Sequence, residues 1–317
     1  MRKAFVVTAA CALLATAAFA KSSGALALVP NDAVTVGVVR LADMRTSPLS
    51  SALFQQTDKI ATDGDAEKFL RDAGLQPTRD IDVVVVSTSP RENLGRDADI
   101  LIAAEGRFNV DRLTSALLSR GATKKGTYIV LPHRAGDDEK RGAVAFLNSG
   151  LAVIGNESAV TEALTNYANG GTTFMAASGL GRDLARVDPK ATAWAIVDVA
   201  RASRLAGGPH IGSHNQSAQA MNSALRHVST VAMWATDAGD QLKLGAIGLS
   251  GDAETLQLLE DTVRGALSAM RLAVQDKSPD LVSVLRRFTV SRSDDSISIS
   301  GSVPAETFRE YVKKQTR

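Results

Sequence analysis

Residues 29–43, "VPNDAVTVGVVRLAD", and residues 187–201, "VDPKATAWAIVDVAR", share one pattern of apolar and polar positions at a fixed offset of 158. Val29/Val187, Ala33/Ala191, Val39/Val197 and Ala42/Ala200 are identical, while Val36/Trp194, Val38/Ile196 and Leu41/Val199 stay apolar. Each stretch predicts a short strand followed at once by helix-compatible residues.

After the first copy the pattern turns to period 3.6 over "SSALFQQTDKIA" and "DAEKFLRDAGL", predicting helices. The β-branched runs "IDVVVVSTS" and "ADILIAAEGRF" predict strands, apolar on both sides as central strands are. "NVDRLTSALLSRG" predicts a helix between the cap Asn109 and the stop Gly121. Strands "TYIVLPH", "GAVAFLN" and "LAVIGN" and a helix, "ESAVTEALTNYANGG", complete this half.

The second half follows the same order. A helix over "SAQAMNSALRHV" leads to strands "TVAMWAT" and "QLKLGAIGLSG". Asp252 caps a long helix, "DAETLQLLEDTVRGALSAMRLAV", and a shorter one covers "PDLVSVLRRF". Strands "FTVSRS" and "SISISGSV" precede a last helix from Pro304, a residue suited to a first helical turn. Short links between consecutive strands imply antiparallel hairpins, and the clean alternation of "SISISGSV" implies one wet face. The expected fold class is α+β: two similar, duplicated domains, each an antiparallel sheet with helices packed on one face. The first repeat takes residues 21–172 and the second 173–317, with the boundary in "NGGTTFMAASG" (169–179). Whether the sheets join is open at this stage.

Residues 1–20 stand apart. Arg2 and Lys3 precede an uncharged, mostly apolar run, and Ala18-Phe19-Ala20 offers small residues for cleavage between Ala20 and Lys21. The run is shorter than the roughly 20 apolar residues a membrane span requires, so a cleaved signal peptide and a periplasmic or secreted location are expected. Lipoprotein processing at Cys11 is the alternative, weakened by Thr8 where a large aliphatic residue belongs. Losing this segment loses Cys11, the only cysteine, and with it any disulfide or thiolate-bound metal.

Charge then narrows the partners. Once Arg2 and Lys3 are gone, basic residues balance the 34 Asp and Glu, and only 4% of residues are aromatic. No nucleic-acid partner and no stable membrane span after cleavage are expected, since neither long-range attraction nor stacking surface is provided.

"LVPNDAVTVGVVRLADMRTSPLSSAL", the "GRF" of Gly106–Phe108 and "FLNSGLAVIGNESAV" resemble uncharacterised exported bacterial proteins grouped as a domain of unknown function. The resemblance covers most of residues 28–200 in pattern and implies export and a duplicated fold. It carries no activity, cofactor or catalytic residue.

Candidate chemistry is sparse. His210 and His214 in "GGPHIGSHNQS" could begin a zinc or copper site, yet no third or fourth ligand accompanies them, and a mobile surface loop is the preferred reading. Asp63, Asp65 and Glu67 lack the spaced ligands of a calcium loop, and Asp65 reads as a helix cap. "SGLGRDLA" lacks the third glycine of a dinucleotide loop, Ser115 and Ser119 sit in no nucleophile elbow, and His133 and His227 are isolated. No catalytic residue and no cofactor are therefore expected. Three functions remain: a non-enzymatic envelope protein that binds or scaffolds an envelope protein, a periplasmic small-molecule receptor using the interdomain cleft, and a hydrolase with dispersed carboxylate or serine chemistry. A broad apolar patch rimmed by charge would favour the first, a deep polar cleft the second, and converging acids of shifted pKa the third. Partner contacts are expected at the loop 206–213 and the turn 91–98.

Overall fold

The computed structural model describes residues 24–47, 49–50, 64–90, 98–132, 141–170, 174, 179–205, 227–275 and 278–315. Twelve strands among these form one continuous antiparallel sheet. In the first half they are β1 (Thr35–Val39), β2 (Ile81–Ser89), β3 (Asp99–Gly106), β4 (Thr123–Lys125), β5 (Tyr128–Val130), β6 (Gly142–Asn148) and β7 (Leu151–Asn156). In the second half they are β8 (Ala193–Asp198), β9 (Thr230–Asp237), β10 (Gln241–Leu249), β11 (Thr289–Arg292) and β12 (Ser296–Pro304). Their order across the sheet is β11-β12-β10-β9-β8-β1-β2-β3-β7-β6-β5-β4, so β1 and β8 meet in the middle and join the halves edge to edge.

Helices α1 (Leu41–Arg45), α2 (Gly64–Ala73), α3 (Pro77–Asp80), α4 (Val110–Leu118) and α5 (Glu157–Ala168) belong to the first half. Helices α6 (Gly179–Asp183), α7 (Val199–Leu205), α8 (Ala253–Val274), α9 (Pro279–Arg286) and α10 (Ala305–Gln315) follow. Local chemistry fixes their ends. The Asn109 side chain accepts from the Arg112 amide at 3.1 Å to open α4, and Gly121, at φ +87°, turns the chain beyond it. Asp252 accepts from the Glu254 and Thr255 amides at the start of α8. The final helix begins at Ala305, because Pro304 still pairs with Gln241 as the last residue of β12.

The main core lies on one face of the sheet. Val36, Val38, Val85, Leu101, Val153 and Ile196 pack there against Ala159, Val160 and Ala163 of α5, the 3₁₀ turn Gly24–Leu28, Phe174 and Leu180. Helices also cover parts of the opposite face, which corrects the expectation that they pack on one face alone. There α2 and α4 bring Phe69, Ala73, Leu113 and Ala116 onto Ala104, Phe146 and Ala152, and α8 brings Leu256, Leu259 and Val263 onto Val231, Ile297 and Ile299. The reason lies in the strands themselves: β2 and β3 are apolar at successive positions, so one covered face would leave the other bare. In β12 the alternation separates Ile297 and Ile299, packed under α8, from Ser298 and Ser300, whose hydroxyls pair with Ser291 and Thr289.

Candidate functional site

Among the described residues, no helix covers the middle of that second face between the α2–α4 pair and the α8–α9 pair. Strand alternation decides what lies there. Val36 and Val38 point into the main core from β1, so Gly37 and Val39 point the other way. Trp194 and Ile196 do the same in β8, leaving Ala193 and Ala195 outward. The register aligns Val86, Gly37, Ala195, Met233, Ala246 and Ile299 in one row across six strands. A second row holds Val84, Val39, Ala193, Ala235 and Leu244. Gly37, Ala193, Ala195, Ala235 and Ala246 are small, so the floor is low, with Val39 and Met233 rising within it and Val84, Val86, Leu244 and Ile299 at its margins.

The result is an apolar groove of about 580 Å³, inside the range of roughly 300–1,000 Å³ usual for ligand pockets. Five steps between strands spaced by ~4.8 Å give a length of ~24 Å, and two rows along a strand are only ~6.6 Å apart. The site is long and about one hydrocarbon chain wide. Val86 is 39% exposed and Met233 51%, so the floor is open to an entering molecule. At one end the ring of Phe288 lies over Gly301, where an added Cβ would stand 2.6 Å from the ring. Arg271 holds that corner by donating to the Leu285 carbonyl at 2.9 Å and more weakly to that of Phe288.

Among the described residues no ionisable side chain lines the groove. Its described lining offers no acid, base or nucleophile, and its interaction with a ligand is burial of apolar surface. The lowered carboxyls lie elsewhere and are explained by structural partners, while burial, then the charges of Asp32 and Asp99, raise that of Glu162. The Arg79 side chain, and then the Gln76 amide, hold the Asp80 carboxyl below its ordinary range against the opposing effect of burial. Lys125 and Tyr128 do the same for Glu157, and Arg186 for Asp295.

None of the candidate site residues singled out from sequence is among the described residues that line this groove. His210, His214, His133, the cleavage pair Ala20 and Lys21, and the loop 206–213 lie outside the described residues, as does the turn 91–98 except for its last position. Asp63 and the Asp65 side chain also lie outside them, while Glu67 pairs with Arg71 at 2.7 Å on an exposed face of α2. Ser119 donates to the Ala116 carbonyl at the end of α4, and the exposed His227 accepts from Ser250 through its carbonyl. Sequence reading missed the groove. Its signal was present as small residues, Gly37, Ala193 and Ala195, alternating with large core residues in the two central strands.

The fold resembles that of TP0453. Crystal form III of that protein matches with a TM-score of 0.53 at 11% identity, covering 92% of this chain and 99% of TP0453. Crystal form I gives 0.51 at 10% identity, covering 93% and 98%. At such identity the likeness shows the fold alone. No protein-family profile matches the chain, and no curated protein is similar to it in sequence. Among the described residues no helix is long and apolar enough to cross a membrane.

Proposed function

We propose that this chain is an exported, periplasmic or secreted, non-enzymatic receptor that holds one elongated apolar molecule in the groove across β2, β1, β8, β9, β10 and β12. The observation that carries the reading is a long, narrow trough whose described lining has no ionisable side chain and has glycine and alanine along its floor. A hydrocarbon chain suits it better than a peptide does. The sheet face has no free backbone partners, so an entering peptide would bury amides and carbonyls unpaired. The export half of the reading rests on Arg2, Lys3, the apolar run and Ala18-Phe19-Ala20.

The finer architecture belongs to the same proposal. We read the sheet as two copies of one unit, with residues 21–172 as the first and 173–317 as the second. Supporting this, β1-β2-β3-β7-β6 and β8-β9-β10-β12-β11 follow the same order outward from the centre, and β4–β5 is an extra hairpin in the first half. Gly37 also stands opposite Ala195, the residue 158 positions later, as a two-fold axis through that pair demands. The groove crosses this junction, the interdomain position expected of a receptor, but it is apolar where a polar cleft was expected, and its narrow shape rather than its polarity favours a receptor over a scaffold. Membership of the exported proteins of unknown function that the sequence resembles fits the same reading.

The test is titration of the purified protein with a fluorescent long-chain fatty acid. Saturable binding, displaced by unlabelled fatty acid and lost in Met233→Lys, is expected. Failure to saturate, or equal binding by the variant, overturns the proposal. A scaffolding role has one observation in its favour: Met270 is 53% and Leu272 71% exposed near the end of α8. Crosslinking through that end of α8 in intact envelopes distinguishes the two, since a receptor alone gives no specific adduct there.

A further inference from the structure

The two ends of the groove differ in charge. Past Val86 the first row runs on through Ile102 of β3 to Ile154 of β7 without a break in apolar character. On this face Ile100 is 46% and Ile154 41% exposed, and neither β3 nor β7 places a charged side chain there. The opposite end, at β12, stops at the Phe288 ring over Gly301 and meets a cation, which α8 delivers. Arg264 of that helix donates to the Val290 carbonyl at 2.8 Å. Arg271, roughly two turns on, donates to the carbonyls of Leu285 and Phe288. Val290 stands opposite Ile299, the end of the first row, and Gly301 opposite Leu244, the end of the second. The helix therefore advances from the first row to the second and sets Arg271 just past the lining.

Arg271 is half-buried, and the two carbonyls that fix it accept from Nε and Nη2. A guanidinium carries more N–H donors than two carbonyls occupy, and the bonds formed among the described residues leave Nη1 for another acceptor. Arg286 and Arg287, both exposed at the end of α9, add positive charge at the same corner. The Glu260 carboxylate of α8 is already taken up by Arg264 and Arg292. A cation fixed at one end of an apolar trough complements a molecule with one anionic end. The planar guanidinium edge suits a carboxylate in particular, since its N–H groups match two coplanar oxygens. We propose that the groove takes a single-chain amphiphile bearing a carboxylate, its head on Arg271 and its chain running from Phe288 across β10, β9, β8 and β1 toward β2. The head stays at the rim and keeps part of its hydration, which limits the cost of desolvation. The far end is uncharged and open, so longer chains continue over Ile102 and Ile154. This inference rests on the receptor reading above and adds to it the ligand's class and its direction.

The experiment follows displacement of a neutral, environment-sensitive dye from the purified protein by a saturated fatty acid and by the alcohol of equal chain length. The dye reports occupation of the groove whatever the head group. The acid is expected to displace it at roughly one tenth of the alcohol's concentration, the factor that a half-buried charge-assisted hydrogen bond gives. Added salt should narrow that gap. In Arg271→Gln, whose amide can still donate to the Leu285 carbonyl, the acid should fall to the alcohol's potency while the alcohol is unchanged. Arg271→Lys, which keeps the charge, should retain most of the preference. Equal potency of acid and alcohol in the wild type would overturn the proposal and leave the groove as a receptor for neutral chains. A full preference for the acid in Arg271→Gln would overturn it too, by placing the head elsewhere. Displacement by neither compound would instead sink the receptor reading, and this inference with it. The wild-type comparison needs no variant, so the proposal can be refuted even where a substitution prevents folding.

Discussion

Filling the groove without touching the core separates its use from its construction. Ala195 sits on the floor at the centre of the sheet, between Gly37 on β1 and Met233 on β9, with its side chain toward the open space. In Ala195→Leu the new side chain enters that space and displaces ligand from it. Fully burying a leucine is worth about 1.5–3 kcal/mol, and a ligand excluded from the same patch loses a similar amount. That corresponds to a dissociation constant raised by roughly 10- to 150-fold. The fold should change little, by about 0.5 kcal/mol or less, since no packed neighbour is displaced. Titration with the fluorescent fatty acid gives the first quantity and urea unfolding the second. Unchanged affinity with an intact fold would refute the reasoning, because a chain lying in the groove cannot avoid β8.

Other positions make equally sharp tests. Gly37 has no positive φ, and an added Cβ would meet the Trp194 carbonyl at an ordinary 3.8 Å. Gly37→Ala should raise stability by about 0.4–1 kcal/mol while weakening ligand binding, and a loss of stability in urea would contradict this. Gly106→Ala would drive its methyl into the Asp80 carbonyl, a backbone atom with nowhere to move, and should cost several kcal/mol in the same assay, about 3 or more. Asp252→Ala removes the acceptor for two amides at the start of α8 and should cost about 1 kcal/mol. The lowered Asp80 carboxyl gives a pH signature. Its stabilising ion pair with Arg79 is complete above the ordinary aspartate value of about 3.9 and is lost as pH falls toward the lower folded value. Asp80→Asn should therefore be less stable than wild type at pH 7, with the gap closing below about pH 4; a gap independent of pH across urea midpoints would exclude the ion pair as the cause.

Much of the fold was legible because its elements carry their own punctuation. β2, β6 and β7 begin and end where the apolar runs do, and Asn109 and Asp252 cap the helices they precede. β4 was not foreseen: "TKK" has neither β-branched repetition nor alternation, and forms a strand only because β5 pairs with it. The placement of α2, α4, α8 and α9 on the second face was also hidden, since amphipathicity shows that a helix has an apolar side and not which sheet face receives it. The groove escaped for a related reason. It is defined by residues that come together only through the register of six strands, and each of them alone is an unremarkable small or aliphatic residue or a methionine. Search for chemistry favours histidines and carboxylates, and the described lining of this site contains none.

What those small residues do is best judged by comparing the two faces of the same strands. On the core face β1 and β8 carry Val36, Val38, Trp194 and Ile196, the β-branched and aromatic residues that a pleated surface favours. On the opposite face they carry Gly37, Ala193 and Ala195 with Val39 in the groove, and only Thr35 and Val197 beyond it. Strand formation alone favours larger residues there, as glycine and alanine are depleted in strands, and glycine in mid-strand costs roughly 0.5–1 kcal/mol relative to alanine. Solubility alone would favour charged or hydroxyl side chains, as the Ser298–Ser291 and Ser300–Thr289 pairs show on the other face at β11 and β12. The groove face satisfies neither demand: it is too small to stabilise the sheet well and too apolar to prefer water. A face meant to be occupied by a slender apolar molecule satisfies both, with low residues leaving room for the chain and apolar ones matching it. The prediction follows that bound ligand raises the unfolding midpoint of the wild-type protein, while Ala195→Leu gains no such increment; equal ligand-induced shifts in the two proteins would show that the small floor serves something else.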